Sequence, residues 1–385
     1  MFCYFERKWK KMRILHVISD KNIGGAGILL TNLLSCFDRE RIQSTVALPY
    51  NSALIPRLLD LDVPVLTYRH RVDRMSAPAV MEMAHLIKES GAELLHANAA
   101  LSARLAGRLC RIPVVHTRHC CYPMQGMLRL PPVRLVVGLS NRWLSDCAIA
   151  TADAAGENLR MLGIPQNKIR VVINGSHPVR AVKDQELELA RMRHGLRRED
   201  FCVGICARLE ACKGHDTFLE AARLLHERHA ELPFRFLIVG EGSRRAELEE
   251  RVRQTGLCEV VRFTGFVKDM APIYRLLRVN VNCSVGTETS CLALSEGMSA
   301  GLPTVASDYG GNPAMLGKGS AGILFPQGDA KALSEALLRI ATDPTLEGSL
   351  RRAARKRYES CYTAAKMSEK MTEIYESLAN KCFFL

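Results

Sequence analysis

Short apolar runs alternate with helix-spaced segments from residue 13 onward, and the alternation starts over once, after a polar, charged stretch at 181–200. In the first round Arg13–Ser19, Gln43–Leu48, Val63–Thr67, Glu93–Ala97, Val114–His119, Cys147–Thr151 and Ile169–Ile173 read as strands. Between them Ile28–Phe37 carries Leu29, Leu33 and Leu34 at helical spacing, and further helices are expected before Leu61, over Met81–Ser90 and over Ser102–Cys110. The second round has strands at Phe201–Ala207, Phe234–Val239, Arg262–Phe266, Val279–Ser284, Pro303–Ser307 and Gly322–Phe325. Its helices are expected over His215–His229, Leu292–Ala300 and Asp329–Thr342, the last with Asp329 as N-cap and Leu333, Leu337 and Ile340 on one face. Strands separated by helices must pair in parallel through crossovers. Two rounds in 385 residues therefore predict an α/β chain of two Rossmann-like, doubly wound domains. Each would present its strand C-terminal ends, where ligands bind in such sheets, to an interdomain cleft.

Composition narrows the class. With 48% hydrophobic and 24% charged residues the chain is neither disordered nor a multi-span membrane protein. No apolar run reaches the roughly 18 residues of a membrane span. The segment Met1–Lys11 (MFCYFERKWKK) lacks the apolar core of a secretory signal and reads as an upstream extension or a basic, aromatic anchor. The 14 cysteines show no repeated CxxC, and neighbours such as Cys120 and Cys121 are not expected to bridge, so they read as reduced thiols of a cytoplasmic protein. The formal charge is +13. Residues 1–178 hold 23 Lys and Arg against 13 Asp and Glu, so the excess lies in the first half. Such a face attracts phosphates or an anionic membrane. No aromatic stacking pattern accompanies it, so nucleic acid is not an expected partner.

Three segments of the second half carry the candidate chemistry. In ARLEACKG (207–214), Arg208 and Lys213 follow a strand and open a helix, a place where two cations and a helix N-terminus can hold a diphosphate; the alternative is a pair of solvated surface charges. In ETSCLALSE, Glu288 and Glu296 stand eight apart, and Glu296 could accept hydrogen bonds from a ribose diol; the alternative is two helix-start acids favoured by the dipole. In GLPTVASDYGGN (301–312) a short strand runs into the Gly310–Gly311 turn.

Taken in order, ARLEACKG, FTGF (263–266) and ETSCLALSEGMSAGLPTVASDYGGNP resemble the nucleotide-sugar half of retaining GT-B glycosyltransferases of family 4. The usual family pattern is Gly-x-Arg-Leu…Lys-Gly, then Glu-x7-Glu, then Gly-x-Pro-Val. The first half is similar too: a Gly24–Gly25 loop after strand one, HTRH at 116–119 and INGSHP at 173–178. The resemblance runs from Met12 over nearly the whole chain. It implies an acceptor-side domain at 1–178, completed by a C-terminal helix at 363–385 that crosses back, and a nucleotide-sugar domain at 179–362. It implies Arg208 and Lys213 as the diphosphate cations, Glu288 as the acid beside the donor sugar and His119 as a histidine bordering the reacting centre. Glu296 would bind the ribose, with Ser290, Cys291 and Leu292 offering backbone N–H groups to the sugar, Val267 near the base, and Gly24 and Gly25 against donor phosphate or acceptor. Two departures stand out: Thr289-Ser290-Cys291 replaces the frequent Gly-Phe-Gly, and Cys206-Ala207 precedes the arginine where a glycine is common.

The implied reaction moves a sugar from a nucleoside diphosphate to an acceptor hydroxyl with retention. The acceptor would be a glycan or a lipid-linked molecule, as in surface polysaccharide or glycolipid synthesis. No metal or other cofactor is expected: Asp60-Leu61-Asp62 reads as a surface turn, and no His/Cys set has zinc spacing. NIGGAG (22–27) lacks both the full GxGxxG spacing and an acid after the second strand, which argues against a dinucleotide. Residues 125–147 mix leucines and valines with Arg129, Arg134, Arg142 and Trp143 and could lie peripherally on the inner face of an anionic membrane, or else form a buried helix with snorkelling arginines. The readings set against a glycosyltransferase are a sugar-nucleotide epimerase of the same fold and a non-catalytic nucleotide-sugar-binding protein.

Overall fold

The computed structural model describes residues 11–119, 130–286 and 288–382, with side chains to residue 379. The N-terminal segment through Lys10, the Cys120–Cys121 pair and Leu128–Arg129 of the basic patch lie outside the described residues. Contacts divide the chain into two compact units, residues 1–175 with 364–385 and residues 176–363.

In the first unit, strands rich in Val, Ile and Leu alternate with helices. They are β1 (Met12–Ile18), α1 (Gly25–Leu34), β2 (Ile42–Pro49), α2 (Ile55–Leu59), β3 (Val65–Tyr68), α3 (Ala77–Glu89), β4 (Leu94–Asn98), α4 (Leu101–Leu109) and β5 (Val114–Arg118). Then come α5 (Pro131–Leu144), β6 (Cys147–Ala150), α6 (Asp153–Met161) and β7 (Ile169–Val171). All strands pair in parallel in the order β3-β2-β1-β4-β5-β6-β7. Leu15, Val17, Leu95, Ala97 and Val114 are buried against Met83, Leu86 and Ala106 of the flanking helices. Ile14 and Ile18, on the opposite face of β1, are buried as well, and burial on both faces explains why these strands read as continuous apolar runs.

In the second unit the elements are α7 (Asp184–Arg193), β8 (Phe201–Cys206), α8 (His215–Arg228), β9 (Phe234–Val239), α9 (Arg245–Gln254), β10 (Val261–Gly265) and α10 (Ala271–Leu276). They continue with β11 (Val279–Asn282), α11 (Leu292–Ser299), β12 (Thr304–Ser307), α12 (Asn312–Met315), β13 (Ile323–Phe325), α13 (Ala330–Thr342) and α14 (Pro344–Cys361). The parallel sheet runs β10-β9-β8-β11-β12-β13 around a core of Val203, Ile205, Phe218, Phe236, Val281 and Leu337. Asp329 caps α13, its side chain accepting from the Ala332 N–H. Three helices had no strong apolar signal. Helix α6 buries chiefly Ala155 and Leu159, α9 only Leu248 and Val252, and α14 packs its apolar side through Leu350, Ala354 and Tyr358 among many charged residues.

The last helix, α15 (Ala364–Cys382), belongs to the first unit. Met367, Met371, Tyr375 and Leu378 are buried along one face, and the Tyr375 hydroxyl lies 2.7 Å from Nδ1 of His96 in the sheet. The chain passes between units at 175/176 and again at 363/364. Ser176 and Thr363 are paired as a parallel bridge, and the Ser176 N–H donates to the Tyr362 carbonyl at 2.9 Å.

Candidate active site

In the second sheet β8 is flanked by β9 on one side and β11 on the other, so the strand order reverses between β8 and β11. Crossovers leave in opposite directions there and open a crevice at the strand C-terminal ends. The ARLEACKG loop leaves β8 at this point and the loop bearing Glu288 leaves β11.

Close backbone approaches fix both loops. Gly214 has φ 68°, and a Cβ there would lie 1.9 Å from the Cys283 carbonyl oxygen, so the turn into α8 abuts the end of β11 only because residue 214 is glycine. The Val285 N–H donates to the Cys212 carbonyl at 2.9 Å, tying the loops together. A Cβ on Gly311 would sit 1.4 Å from the Thr289 carbonyl oxygen, so the Gly310–Gly311 turn supports the Glu288 loop from below.

Lys213 Nζ and Glu288 Oε2 form an ion pair at 2.8 Å, with side chains 19% and 7% exposed. Glu288 also accepts from Ser284 Oγ at 2.7 Å and from Asn282 Nδ2 at 3.5 Å. Burial raises the Glu288 pKa, but Lys213 with the Ser284 and Asn282 bonds outweighs it, and the carboxyl ends below its usual range. Burial likewise lowers the Lys213 pKa, and Glu288 reverses the sign, so the ammonium is held protonated. Beneath the pair, Asn312 Nδ2 donates to Asn282 Oδ1 at 3.2 Å and to the Ser307 carbonyl at 3.1 Å, and Ser307 Oγ donates to the Ser284 carbonyl at 2.7 Å. Asn282 and Asn312 thus hold Glu288 from behind.

Arg208 is exposed at the start of the same loop, and its side chain makes no hydrogen bond or ion pair among the described residues. Glu296 lies on α11, largely buried, and its Oε2 accepts from the Tyr274 hydroxyl at 2.8 Å. Burial raises its pKa and the tyrosine bond lowers it by less. Oε1 makes no hydrogen bond among the described residues. Ser290 is buried, Cys291 caps α11, and Leu292 is its first residue. Burial pushes the Cys291 thiol up to about 11, so it is no thiolate nucleophile near neutrality. Cys291 shares with Lys213, Asn282 and Leu294 a small recess. Val267 follows β10 and packs with Val239 and Tyr274, toward the Glu296 side of the sheet. The second unit therefore brings Lys213, Glu288 and Cys291 together and sets Glu296 and Val267 around Tyr274.

His119, Gly24 and Gly25 belong to the first unit. Gly24 is the N-cap of α1, and a Cβ on Gly25 would meet nothing within 4 Å, so the approach to this helix start is open. His119 Nε2 lies 2.9 Å from Asn98 Oδ1, and burial lowers its pKa to about 4, leaving a neutral ring with Nε2 as the donor. It lines a recess with Ala26, Asn98 and Thr117. Asp60 ends α2 and Asp62, at φ 51°, stands in the exposed turn that follows. Among the described residues no three His, Cys, Asp or Glu side chains gather as a metal group would require.

Tyr274, Asn282, Ser284 and Asn312 are the site residues that motif reading passed over. The period-two run Val279-Asn280-Val281-Asn282-Cys283-Ser284 carried a signal: Val279, Val281 and Cys283 enter the core cluster, which leaves the polar residues for the other face.

Two parallel doubly wound units with such a crevice define the GT-B class of glycosyltransferases. Residues 23–180 match the model of Glycosyltransferase Family 4 and residues 200–343 that of Glycosyl transferases group 1. The 2-deoxystreptamine glucosyltransferase of Streptomyces kanamyceticus is 30% identical over 285 residues, covering 70% of this chain and 73% of the relative. The amylovoran biosynthesis glycosyltransferase AmsK of Erwinia amylovora is 29% identical over 57% of this chain and 53% of its own length. The crystal structure of Anabaena HepE with UDP and glucose superposes with a TM-score of 0.82 at 21% identity, covering 95% of this chain and 100% of that one. The chain belongs to glycosyltransferase family 4.

Proposed function

We propose that this glycosyltransferase is a metal-independent, retaining hexosyltransferase that moves a sugar from a nucleoside diphosphate to an acceptor hydroxyl. The observation that carries this reading is the Lys213–Glu288 pair at the reversal point of the second sheet, with Arg208 unpaired on the same loop. As the bond from anomeric carbon to phosphate oxygen breaks, negative charge collects on the β-phosphate. Arg208 and Lys213 meet it there; fixed donors of this kind are typically worth about 2.7–4 kcal/mol each in the transition state. Glu288 keeps Lys213 protonated and faces the sugar hydroxyls. Glu296 takes the ribose through Oε1, Tyr274 holding its other oxygen. The N–H groups at Ser290 and Leu292 face the donor sugar, that of Cys291 being given instead to Met315 Sδ at 3.2 Å, and Val267 borders the base. No side chain is assigned as a covalent nucleophile.

HepE bound to UDP supports a nucleotide-sugar donor for residues 179–362. On this reading residues 1–178, with 363–385, serve the acceptor: His119, its neutral ring held by Asn98, borders the reacting hydroxyl, and Gly24 and Gly25 leave room for the incoming group. AmsK, named for amylovoran biosynthesis, supports a glycan or lipid-linked acceptor in surface polysaccharide synthesis. The test is a thermal-shift series with UDP, GDP, ADP and their common sugars. A diphosphate at about 100 times its Kd raises stability by ~2.7 kcal/mol. Turnover of the stabilising donor is expected to survive EDTA. If no nucleoside diphosphate raises the Tm, the assignment fails.

A further inference from the structure

Helix α5 turns its apolar face outward. A helix on a soluble domain normally buries its apolar stripe and shows water the polar one. Here Pro132, Leu135, Val136, Leu139 and Trp143 fall at i, i+3, i+4, i+7 and i+11, and all are exposed: Leu135 by 64%, Val136 by 63%, Leu139 by 58% and Trp143 by 56%. Only Gly138 and Leu144 are buried. Gly138 explains the attachment: a Cβ on Gly163 would lie 2.4 Å from its Cα, so the helix rests backbone to backbone on the turn after α6. Lys168 Nζ ties the helix end down, donating to the carbonyls of Arg142 and Ser145 at 2.9 Å.

The charges around this face are predominantly positive. Arg134 and Arg142 are exposed, and neither side chain has an ion pair among the described residues. Residues 101–145 contain no Asp or Glu. The acid that follows the helix, Asp146, is engaged with Arg108, and Glu157 with Arg160. Beside the stripe a shallow groove is lined by Arg134, Leu135, Leu139, Arg142 and Met161, with Glu157 the one acid there and paired to Arg160. Leucines outward, a tryptophan at the end and unpaired arginines along the edge form the pattern of a helix lying in the headgroup layer. We infer that α5 docks the first unit on an anionic bilayer, with Leu135, Leu139 and Trp143 in the acyl boundary and Arg134 and Arg142 on lipid phosphates. The charge favours lipid over a second copy of the chain, because pairing two such faces would oppose arginine to arginine. The inference uses the surface of the first unit alone and does not depend on the donor-site reading.

The chain has two tryptophans, so Trp9→Phe leaves Trp143 as the sole reporter in the full-length protein. This variant is floated with vesicles of phosphatidylcholine alone and of phosphatidylcholine with phosphatidylglycerol. Binding to the anionic vesicles only, a blue shift of Trp143 emission on binding, and weakening by salt are expected. Arg134→Gln with Arg142→Gln lowers partitioning about 30-fold, taking ~1 kcal/mol per arginine. Leu135→Ser with Leu139→Ser lowers it at least as far. The two variant pairs alter different contacts, so misfolding of one, read from its thermal melt, leaves the other as the test. Equal or absent binding to the two vesicle types overturns the inference. So does Trp143 emission already blue in buffer, or a dimer that the leucine pair dissociates.

Discussion

Replacing Lys213 by methionine separates two roles that the ion pair combines. The substitution keeps most of the volume and removes the charge. It leaves the Glu288 carboxylate buried, with Ser284 Oγ and Asn282 Nδ2 as its remaining donors. Stranding one partner of a buried pair typically costs about 3–5 kcal/mol, and Ser284 holds the loss toward the lower end. Glu288→Gln removes the stranded charge, so the double variant should regain most of that stability. Catalysis should not follow. If Lys213 meets the leaving phosphate, its loss lowers kcat by roughly 10²–10³-fold, and lowers it comparably in the Glu288→Gln background. The assay is release of nucleoside diphosphate from the donor found by thermal shift, run on wild type, both single variants and the double, with a melt for each. The informative comparison is the double variant against Glu288→Gln. If Lys213 serves only to hold Glu288, its removal there changes nothing, and equal kcat values would refute a leaving-group role. An unchanged kcat in Lys213→Met would do the same.

Arg208→Ala should leave the Tm within about 1 °C, because the side chain is exposed and unpaired, yet lower kcat by about 10²-fold; unaltered turnover would remove Arg208 from the phosphate site. Asn312→Ala breaks the bonds to Asn282 and Ser307 and should cost about 1–3 kcal/mol in a denaturant melt, with a fall in kcat that Asn312→Ser partly restores; a stability loss with full activity would show that the network does not position Glu288. Acid should destabilise the first unit in particular. Burial lowers His16 to about 3 and His119 to about 4, with His96 and His116 also below their usual value, so all four stay neutral in the fold while their unfolded counterparts protonate below about 6.5. Stability is full above about pH 6.5 and is lost as pH falls toward 4, so Tm should drop by roughly 10 °C or more over that window. A flat Tm there would contradict the burial of these rings. Lys213 and Glu288 act within wider limits, the carboxylate losing its contribution at still lower pH and the ammonium only in strong alkali.

The strands were legible because both sheets are covered on two faces, which forces continuous apolar runs such as Phe234–Val239. Helices with a wide apolar stripe, α8 and α13, were equally plain. Helix α14 was not: three buried apolar residues and the buried Glu347 among eighteen leave little periodicity, and tertiary contact rather than pattern holds it. Motif order located the loops bearing Arg208, Lys213, Glu288 and Glu296. What spacing could not give was the partner of each group. That Lys213 binds Glu288 depends on the strand order, which places β8 beside β11 although 72 residues separate Val279 from Cys206 along the chain. Tyr274 reaches Glu296 from a different crossover for the same reason. The outward stripe of α5 was visible as a mixture of leucine and arginine, but which way it pointed depended on Gly138 meeting Gly163.

The bridge between Ser176 and Thr363 makes the second unit a closed parcel: the chain enters and leaves it at one spot. The flanks meet as well, the Gly175 N–H lying 3.3 Å from Met367 Sδ. Such a segment can be lifted out with its ends already joined, and another of the same kind spliced into the gap without stretching either stub. Lineages that keep the first unit while exchanging the second, or laboratory chimaeras cut at these two seams, need alter no strand of the remaining sheet.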